Sequence, residues 1–464
     1  MSGRLPALRP RASERATDVP ETTAASSSVN ARHGEPPPLL LSIVVWSIPA
    51  IFYLFAFYLR SSPAVMTSEL MRSFGIGAKD LGSLSAYYFY AYVLMQIPTG
   101  MLIDSLGPRK LVIFCSISSA MGALLFGATS SFALACVGRA ITGGATAAAW
   151  LVILKLATHW FPSRRFAMVS GLGLAIGNLG ALTAQVPLRI LVEHFTWRTV
   201  VIASAVAILL VAVLAWVFVC NDPSERGHLS YAPRQVQDQR KTSLRQVGAG
   251  LKRIFAYRNI WLIFFAQGGL VGPILAFTGL WGPPFLKARF AVSSTTAAAV
   301  CSVMIVCWAA ASPIFGALSD KIGRRKPLYV SGCVAAAGGW AAMFYVPSLS
   351  LSFFVVLAAI TSLASGAVIL GFAYGKESVP VQYLGTVSGT INIGNMIGPT
   401  LLQPGIGRIL DQHWVGAMAN GARIYSVDAF QTAFLLSVGW TLLACVLSSL
   451  TRETGCRQGG DGPQ

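Results

Sequence analysis

Two arginines stand inside apolar sequence, where a charge is expensive. Arg60 follows an apolar run that begins near Leu39, and Arg139 lies within the apolar stretch 132–157. An ionised side chain at membrane depth normally faces a cavity, a partner or free carbonyls. No acidic residue lies within a helical turn of Arg60, and its planar fork of donors suits bidentate binding of a carboxylate. The competing use of Arg60 is an arginine near a membrane surface whose head snorkels to lipid headgroups. For Arg139 the competing use is hydrogen bonding to backbone carbonyls near Gly143 and Gly144.

Polar side chains recur at helical spacing around these cations. Tyr88, Tyr92 and Gln96 are each four apart and form one stripe on a helix. Facing a cavity, they would offer hydroxyl and amide contacts around an apolar wall. Asn178 and Gln185 are seven apart, and Asn392, Asn395 and Gln403 form a similar set later in the chain. An amide turned to lipid would be unsatisfied, so each must face a cavity or another helix. The glycines around them make close helix packing a real competitor. Trp150, Trp308 and Tyr374 are weaker candidates, because aromatics also serve as packing anchors.

Other chemistries are missing. All seventeen acidic residues fall in tails, loops or helix ends, and His33, His159, His194, His228 and His413 lie outside the apolar spans. Proton relays in membranes normally use intramembrane Asp, Glu or His. Only Glu69 and Glu377, near helix ends, could serve as coupling groups. No clustered nucleophile, acid/base pair or metal-ligand set sits at membrane depth, so an enzyme is disfavoured. The eight cysteines show no CxxC spacing and lie mostly in apolar stretches, which predicts neither a disulfide nor a metal site. No cofactor is expected.

The elements that must position these residues follow from composition. Of 464 residues, 54% are hydrophobic and only 11% charged, against about 25% charged in soluble domains. So few charges cannot solvate a chain this long, and most of its surface must face a lipid bilayer. The net charge of +18 does not indicate nucleic acid, because the basic residues come in short bursts between apolar runs. Residues 1–38, rich in Ser, Thr, Pro and Ala, read as a disordered tail without the pattern of a cleaved export signal. Twelve apolar segments follow, at about 39–62, 80–103, 110–129, 132–157, 167–190, 198–220, 258–281, 295–318, 327–346, 349–373, 384–409 and 429–450. Each is close to the roughly 20 residues a spanning helix needs. The fold expected is an all-α membrane protein of twelve helices.

With the N-terminus inside, twenty-five Lys and Arg fall on the cytoplasmic side, eight outside, and Arg60 and Arg139 within helices. That bias predicts both termini in the cytoplasm. The chain also repeats itself. Gly100, Asp104, Gly107, Arg109 and Lys110 return as Gly316, Asp320, Gly323, Arg325 and Lys326, an offset of 216. Ser170-Gly171 returns as Ser388-Gly389, and Gln185 matches Gln403, both at an offset of 218. Such matches imply duplication of a six-helix unit with a site at the midplane between the copies. The boundaries expected are a bundle over 39–220, a polar cytoplasmic linker over 221–257, a second bundle over 258–450 and a tail over 451–464.

The doubled Gly–x–Leu–x–Asp–x–x–Gly–x–Arg–Lys stretch resembles the signature loop of the major facilitator superfamily, and Arg139-Ala-Ile-Thr-Gly143 resembles its second motif. The segments YYFYAYVLMQIPTG (87–100) and LKLATHWFPSRRFAMVSG (154–171) resemble a bacterial branch related to lysosomal dipeptide transporters and anion-type symporters. The resemblance implies two pseudo-symmetric bundles that alternate access to a central site. It also implies a brace at Asp104, Arg109, Asp320 and Arg325 that holds the halves together on the cytoplasmic side, an arginine at the place of Arg60, and a helix 4 arginine supporting solute binding or proton coupling. The bland alternative for the loop cations is that they only set topology.

These readings converge on a monomeric transporter in a bacterial inner membrane. It would move a small anionic or zwitterionic solute (an amino acid, dipeptide or organic acid) by uptake or facilitated diffusion. Proton symport, efflux of another solute, and a non-transporting sensor on the same scaffold are the alternatives.

Overall fold

The computed structural model describes residues 35–232, 248 and 252–458. The expected tail up to residue 34, most of the expected linker and residues 459–464 lie outside the described residues. Sixteen helices form the described chain: α1 Leu39–Ser61, α2 Thr67–Phe74, α3 Ala78–Ala128, α4 Phe132–Thr146, α5 Ala149–Trp160, α6 Ser163–Thr183, α7 Val186–His194, α8 Trp197–Phe218, α9 Arg258–Ala276, α10 Gly282–Phe290, α11 Ser294–Ile322, α12 Lys326–Tyr345, α13 Leu351–Ser365, α14 Val368–Glu377, α15 Leu384–Gln412 and α16 Val427–Ser449.

Ten helical stretches among the described residues are long and apolar enough to cross a membrane. One of them, α3, has 51 residues, about 75 Å at 1.5 Å per residue and far more than one bilayer crossing. Gly107 breaks it with φ 77 and ψ 161, and Pro108 follows. Only glycine adopts such a backbone cheaply. Both spans expected at 80–103 and 110–129 fall inside α3. Helix α15 has 29 residues, enough to cross, but its Gly, Asn and Gln dilute its hydropathy.

Four expected spans are interrupted. The 132–157 span is α4 and α5, joined at Ala147–Ala148, and the 167–190 span is α6 and α7, broken at Gln185. The span starting at Arg258 passes through a π turn at Phe277–Trp281, and the tenth divides at Gly366–Ala367. Interrupted helices at membrane depth leave polar backbone that must be satisfied within the protein. The second departure from expectation is an antiparallel hairpin, Met418–Ala419 with Ala422–Arg423, in a chain read as all-α. Asn420 (φ 49) and Gly421 (φ 76) form its turn, the left-handed pair that tight hairpins require.

Both chain ends of the helical body lie at one end of the molecule, the terminal end; the opposite end, carrying α2 and the hairpin, is the distal end. Close packing rests on glycine. A side chain at Gly143 would strike the Tyr88 carbonyl, and one at Gly180 the Leu54 carbonyl. Gly82 and Gly407 do the same between α3 and α15, against the carbonyls of Gln403 and Ala78. An aromatic core at the distal end, Phe277, Phe285, Trp340, Phe344, Phe354 and Phe434, holds the C-terminal helices together.

Candidate functional site

Arg60 sits on the last turn of α1, which closes at Ser61 and continues as a 3-10 turn, Ser62–Val65. It is 7% exposed. Its Nε has no hydrogen-bond partner, and no carboxylate lies within ion-pair distance among the described residues. The guanidinium lies over the Phe57 ring, 4.0 Å from its centroid, and Phe57 contacts Tyr53 at 4.9 Å. Tyr53, Phe57 and Arg60 therefore share one face of α1 by their spacing. The ring of Trp150, on α5, lies 5.4 Å from that of Tyr53.

Arg139 is 2% exposed and donates from Nη1 to the Leu59 carbonyl at 2.7 Å. Its Nε and Nη2 have no partner. The Tyr88 ring stands 5.0 Å away. Arg139 thus meets the backbone beside Arg60 and not that of Gly143 or Gly144. Both cations are buried, Arg139 bonded to the backbone one residue from Arg60, and neither has a carboxylate within ion-pair distance among the described residues. An unpaired buried charge costs several kcal/mol, so the arrangement calls for an anion.

The stripe on α3 divides its work. The Tyr88 hydroxyl donates to the Ala56 carbonyl at 3.0 Å and lies 2.7 Å from Thr146 Oγ1. Already satisfied, it ties α1, α3 and α4 together one turn below Arg60. Tyr92 stacks on Tyr88 with ring centroids 6.2 Å apart and stays half-buried. Gln96 Oε1 accepts from Asn392 Nδ2 of α15 at 3.1 Å, a bond between the two halves of the chain. Below it opens a cavity of about 380 Å³ towards the terminal end, lined by Gln96, Gly100, Asp104, Leu151, Gly389 and Thr390, among others. Asn395, one turn further along α15, is 6% exposed and its Oδ1 has no partner. Trp308 Nε1 is likewise unpartnered.

The remaining amides take other places. Gln185 and Gln403 are fully buried and donate to the carbonyls of Thr278 at 3.0 Å and Leu275 at 3.2 Å. These carbonyls flank or belong to the π turn, where the ordinary helical ladder is disturbed. Both glutamines thus give an amide N–H to protein backbone, while the Oε1 of each is buried without a partner. Asn178 is half-buried and donates to the Leu174 carbonyl of its own helix at 3.0 Å, so its amide is turned back on α6. Tyr374 is buried against the Thr451 hydroxyl and the Arg452 carbonyl, a packing role.

The loop residues and the acids are held within their own halves. Asp104 pairs with Lys155 at 2.7 Å, and Arg109 donates to the Trp216 carbonyl. Arg325 pairs with Asp320 at 2.6 Å and Glu377 at 2.8 Å. None of these bonds joins one half to the other in this state, so the expected brace is not assembled here. Glu69 is committed to Arg189 at 2.7 Å, and Glu377 also accepts from Thr454. Gly107 and Gly323 take positive φ, 77° and 72°, whereas Gly100 and Gly316 lie inside helices and not at turns. The repeat extends to a feature not anticipated: Arg109 N–H donates to Asn221 Oδ1 and Arg325 N–H to Glu453 Oε1. Each half thus uses a residue after its last helix to cap the helix that follows its loop.

Many apolar helices, interrupted where polar groups gather, with two buried cations and a cavity between the two halves, define a multi-pass membrane transporter. The model of the Major Facilitator Superfamily matches residues 49–285 and 270–457. The chain belongs to that superfamily, a family of transporters and not of enzymes. It is 25% identical over 449 residues to a putative tartrate transporter of Agrobacterium vitis, covering 90% of this chain and 96% of that protein. It is 22% identical to a probable sulfoacetate transporter of Cupriavidus necator, covering 77% of this chain and 86% of that one. Among solved structures it is similar in fold to a bacterial homolog of the human lysosomal transporter Spinster in an inward-facing, unoccupied conformation. That similarity has a TM-score of 0.71 at 18% identity, covering 89% of this chain and 97% of that one. The similarity to curated anion transporters supports the anion-type branch read from the sequence.

Proposed function

We propose that this protein carries a small carboxylate-bearing solute across the membrane by alternating access, with Arg60 as the carboxylate anchor. The observation that carries this reading is that Arg60 and Arg139, buried on α1 and α4, have no carboxylate partner among the described residues. Arg139, fixed to the Leu59 carbonyl, adds positive field and holds the backbone that presents Arg60. Tyr92, Gln96, Asn392 and the free Oδ1 of Asn395 supply neutral contacts, the last an acceptor for a solute hydroxyl or ammonium. The named substrates of the similar proteins, tartrate and sulfoacetate, are small organic anions, and they support the same class here.

The transporting unit is a monomer of twelve spanning helices in two six-helix bundles, with ten apolar spans, the break at Gly107 and the length of α15 in support. The charge bias places the termini in the cytoplasm of a bacterial cell and the distal end outside. In this orientation the structure corresponds to a state closed to the outside and opening inward. Glu69 and Glu377 are each engaged by an arginine in this state, and this supports uptake or facilitated diffusion over proton coupling through either of them. The test is uptake by reconstituted protein of labelled hydroxy acids, amino acids and dipeptides. Transport by Arg60→Gln at the wild-type rate across all of them would sink the assignment.

A further inference from the structure

At the distal end a second cavity of about 440 Å³ lies between the halves. Its walls carry Arg72 and Arg189 from the N-terminal half and Lys287 and Arg423 from the C-terminal half, against one carboxylate, Glu69. Arg189 is paired with both Glu69 at 2.7 Å and Glu193 at 2.9 Å, and Arg423 is held by Asp411 at 3.1 Å and lies over the Trp414 ring at 4.3 Å. Arg72 and Lys287 have no ion-pair partner among the described residues. The stem of Arg72 packs against Gly421 at the hairpin turn, 3.3 Å from where a side chain would begin. The hairpin of one half therefore rests on α2 of the other and closes the cavity's rim.

We infer that this cavity is an anion site, separate from Arg60, that takes a small divalent oxyanion and exists only while the distal end is closed. With Arg189 and Arg423 paired to carboxylates, the cavity keeps two exposed, unpaired cations of like charge, Arg72 on one half and Lys287 on the other, which repel one another across the closing surface. A divalent anion bridging Arg72 and Lys287 removes that repulsion, and a monovalent ion can bridge only weakly. Because the walls come from both halves, opening the distal end pulls the two cations apart and dismantles the site. A ligand that binds one state alone shifts the equilibrium towards it. External divalent anion therefore holds the distal end shut and slows entry of solute without competing at Arg60.

This inference rests on the proposed orientation only for its flux arm. The probe is inorganic phosphate, with sodium chloride at equal ionic strength as control, and the full chain in nanodiscs of neutral phosphatidylcholine so that no anionic headgroup is present. Phosphate is expected to raise the melting temperature of wild type and of Arg60→Gln above the chloride control, and not that of Arg72→Gln/Lys287→Gln. The conservative Arg72→Lys/Lys287→Arg protein should keep the response, separating loss of charge from loss of fold. In right-side-out vesicles, saturating external phosphate should lower the maximal uptake rate about twofold or more with KM unchanged, and the double Gln variant should be insensitive. An equal shift with chloride, or a phosphate response undiminished in the double Gln variant, overturns the inference. Loss of the response in Arg60→Gln alone would assign the anion to the central site and overturn it equally.

Discussion

The distal and terminal ends of the molecule are built from the same kinds of residue but use them differently. At the distal end the halves are locked. The Asp411 carboxylate at the end of α15 accepts the backbone N–H groups of Ala78 and Lys79 at 3.1 and 2.9 Å, capping the start of α3 from the other half. Arg423 and the Tyr425 hydroxyl hold the same carboxylate, and Tyr425 also receives Ala78 N–H. Gly82 and Gly407 let α3 and α15 meet backbone to backbone. At the terminal end, Gly100, Gly171, Gly316 and Gly389 have no atom within 4 Å of where a side chain would begin. Glycine in open space weakens a helix for no packing return. The four are related in pairs by the repeat, and Gly100 and Gly389 line the terminal cavity. The space beside those two is what closure of the terminal end would fill in the proposed alternating-access cycle.

The strongest way to break this contrast is Gly407→Ala. The added methyl collides with the Ala78 carbonyl, a backbone atom that cannot step aside, and overpacking of this kind costs about 1–3 kcal/mol. The distal end should open, with hydrogen exchange of the Ala78–Lys79 amides faster by roughly 5- to 100-fold. Asp411→Asn keeps the shape but removes charge from the helix N-terminus and from Arg423. A loss of about 1 kcal/mol, and exchange about fivefold faster, follows. Gly100→Leu and Gly389→Leu should instead leave the unfolding free energy of this state within about 0.5 kcal/mol of wild type, because nothing is displaced. They should slow turnover by blocking terminal closure, so equal stability with reduced uptake is the expected pattern.

The smallest effect concerns pH. Burial alone would raise Asp222, but the His159 ring at 2.7 Å, the Ser230 hydroxyl and the Ser224 donors outweigh it and hold the carboxyl below its ordinary value. Glu453 behaves alike: burial is outweighed by backbone N–H donors from Arg325, Gly455, Lys326 and Thr454. A depressed folded-state pKa gives stability that is complete above the unfolded value and lost as pH falls through the folded one. Melting temperature should accordingly hold down to the ordinary carboxylate range and drop below it, and Asp222→Asn should flatten that drop.

Much of the architecture was legible in the sequence, because apolar runs, charge bias and a doubled motif are local signals. Arg60 and Arg139 were legible for the same reason: a lone cation in an apolar run needs no structure to notice. The lock was not. Asp411 finds its partners Ala78 and Lys79 more than three hundred residues away, and in sequence it is one acid in a polar loop. The backbone partners of Gln185 and Gln403 were not legible either, because an amide at membrane depth has two outlets, cavity or broken backbone, and the π turn that takes their N–H groups has no pattern of its own. Nor was the Asn178 bond to Leu174, since helical spacing does not reveal a side chain bonded to its own helix. The hairpin's Asn-Gly pair, by contrast, carried a turn signal in the sequence.

Arg60, buried without an ion-pair partner among the described residues, awaits a carboxylate, and ligand binding reads that out apart from the rest of the transport cycle. Titration calorimetry of purified wild type and Arg60→Gln against tartrate and a panel of hydroxy, amino and peptide acids should find at least one ligand. Its affinity should fall about 10- to 100-fold in the variant, the worth of a charge-assisted bidentate pair. A carboxylate ligand bound equally well by Arg60→Gln, with the variant's melting temperature unchanged, would contradict the account.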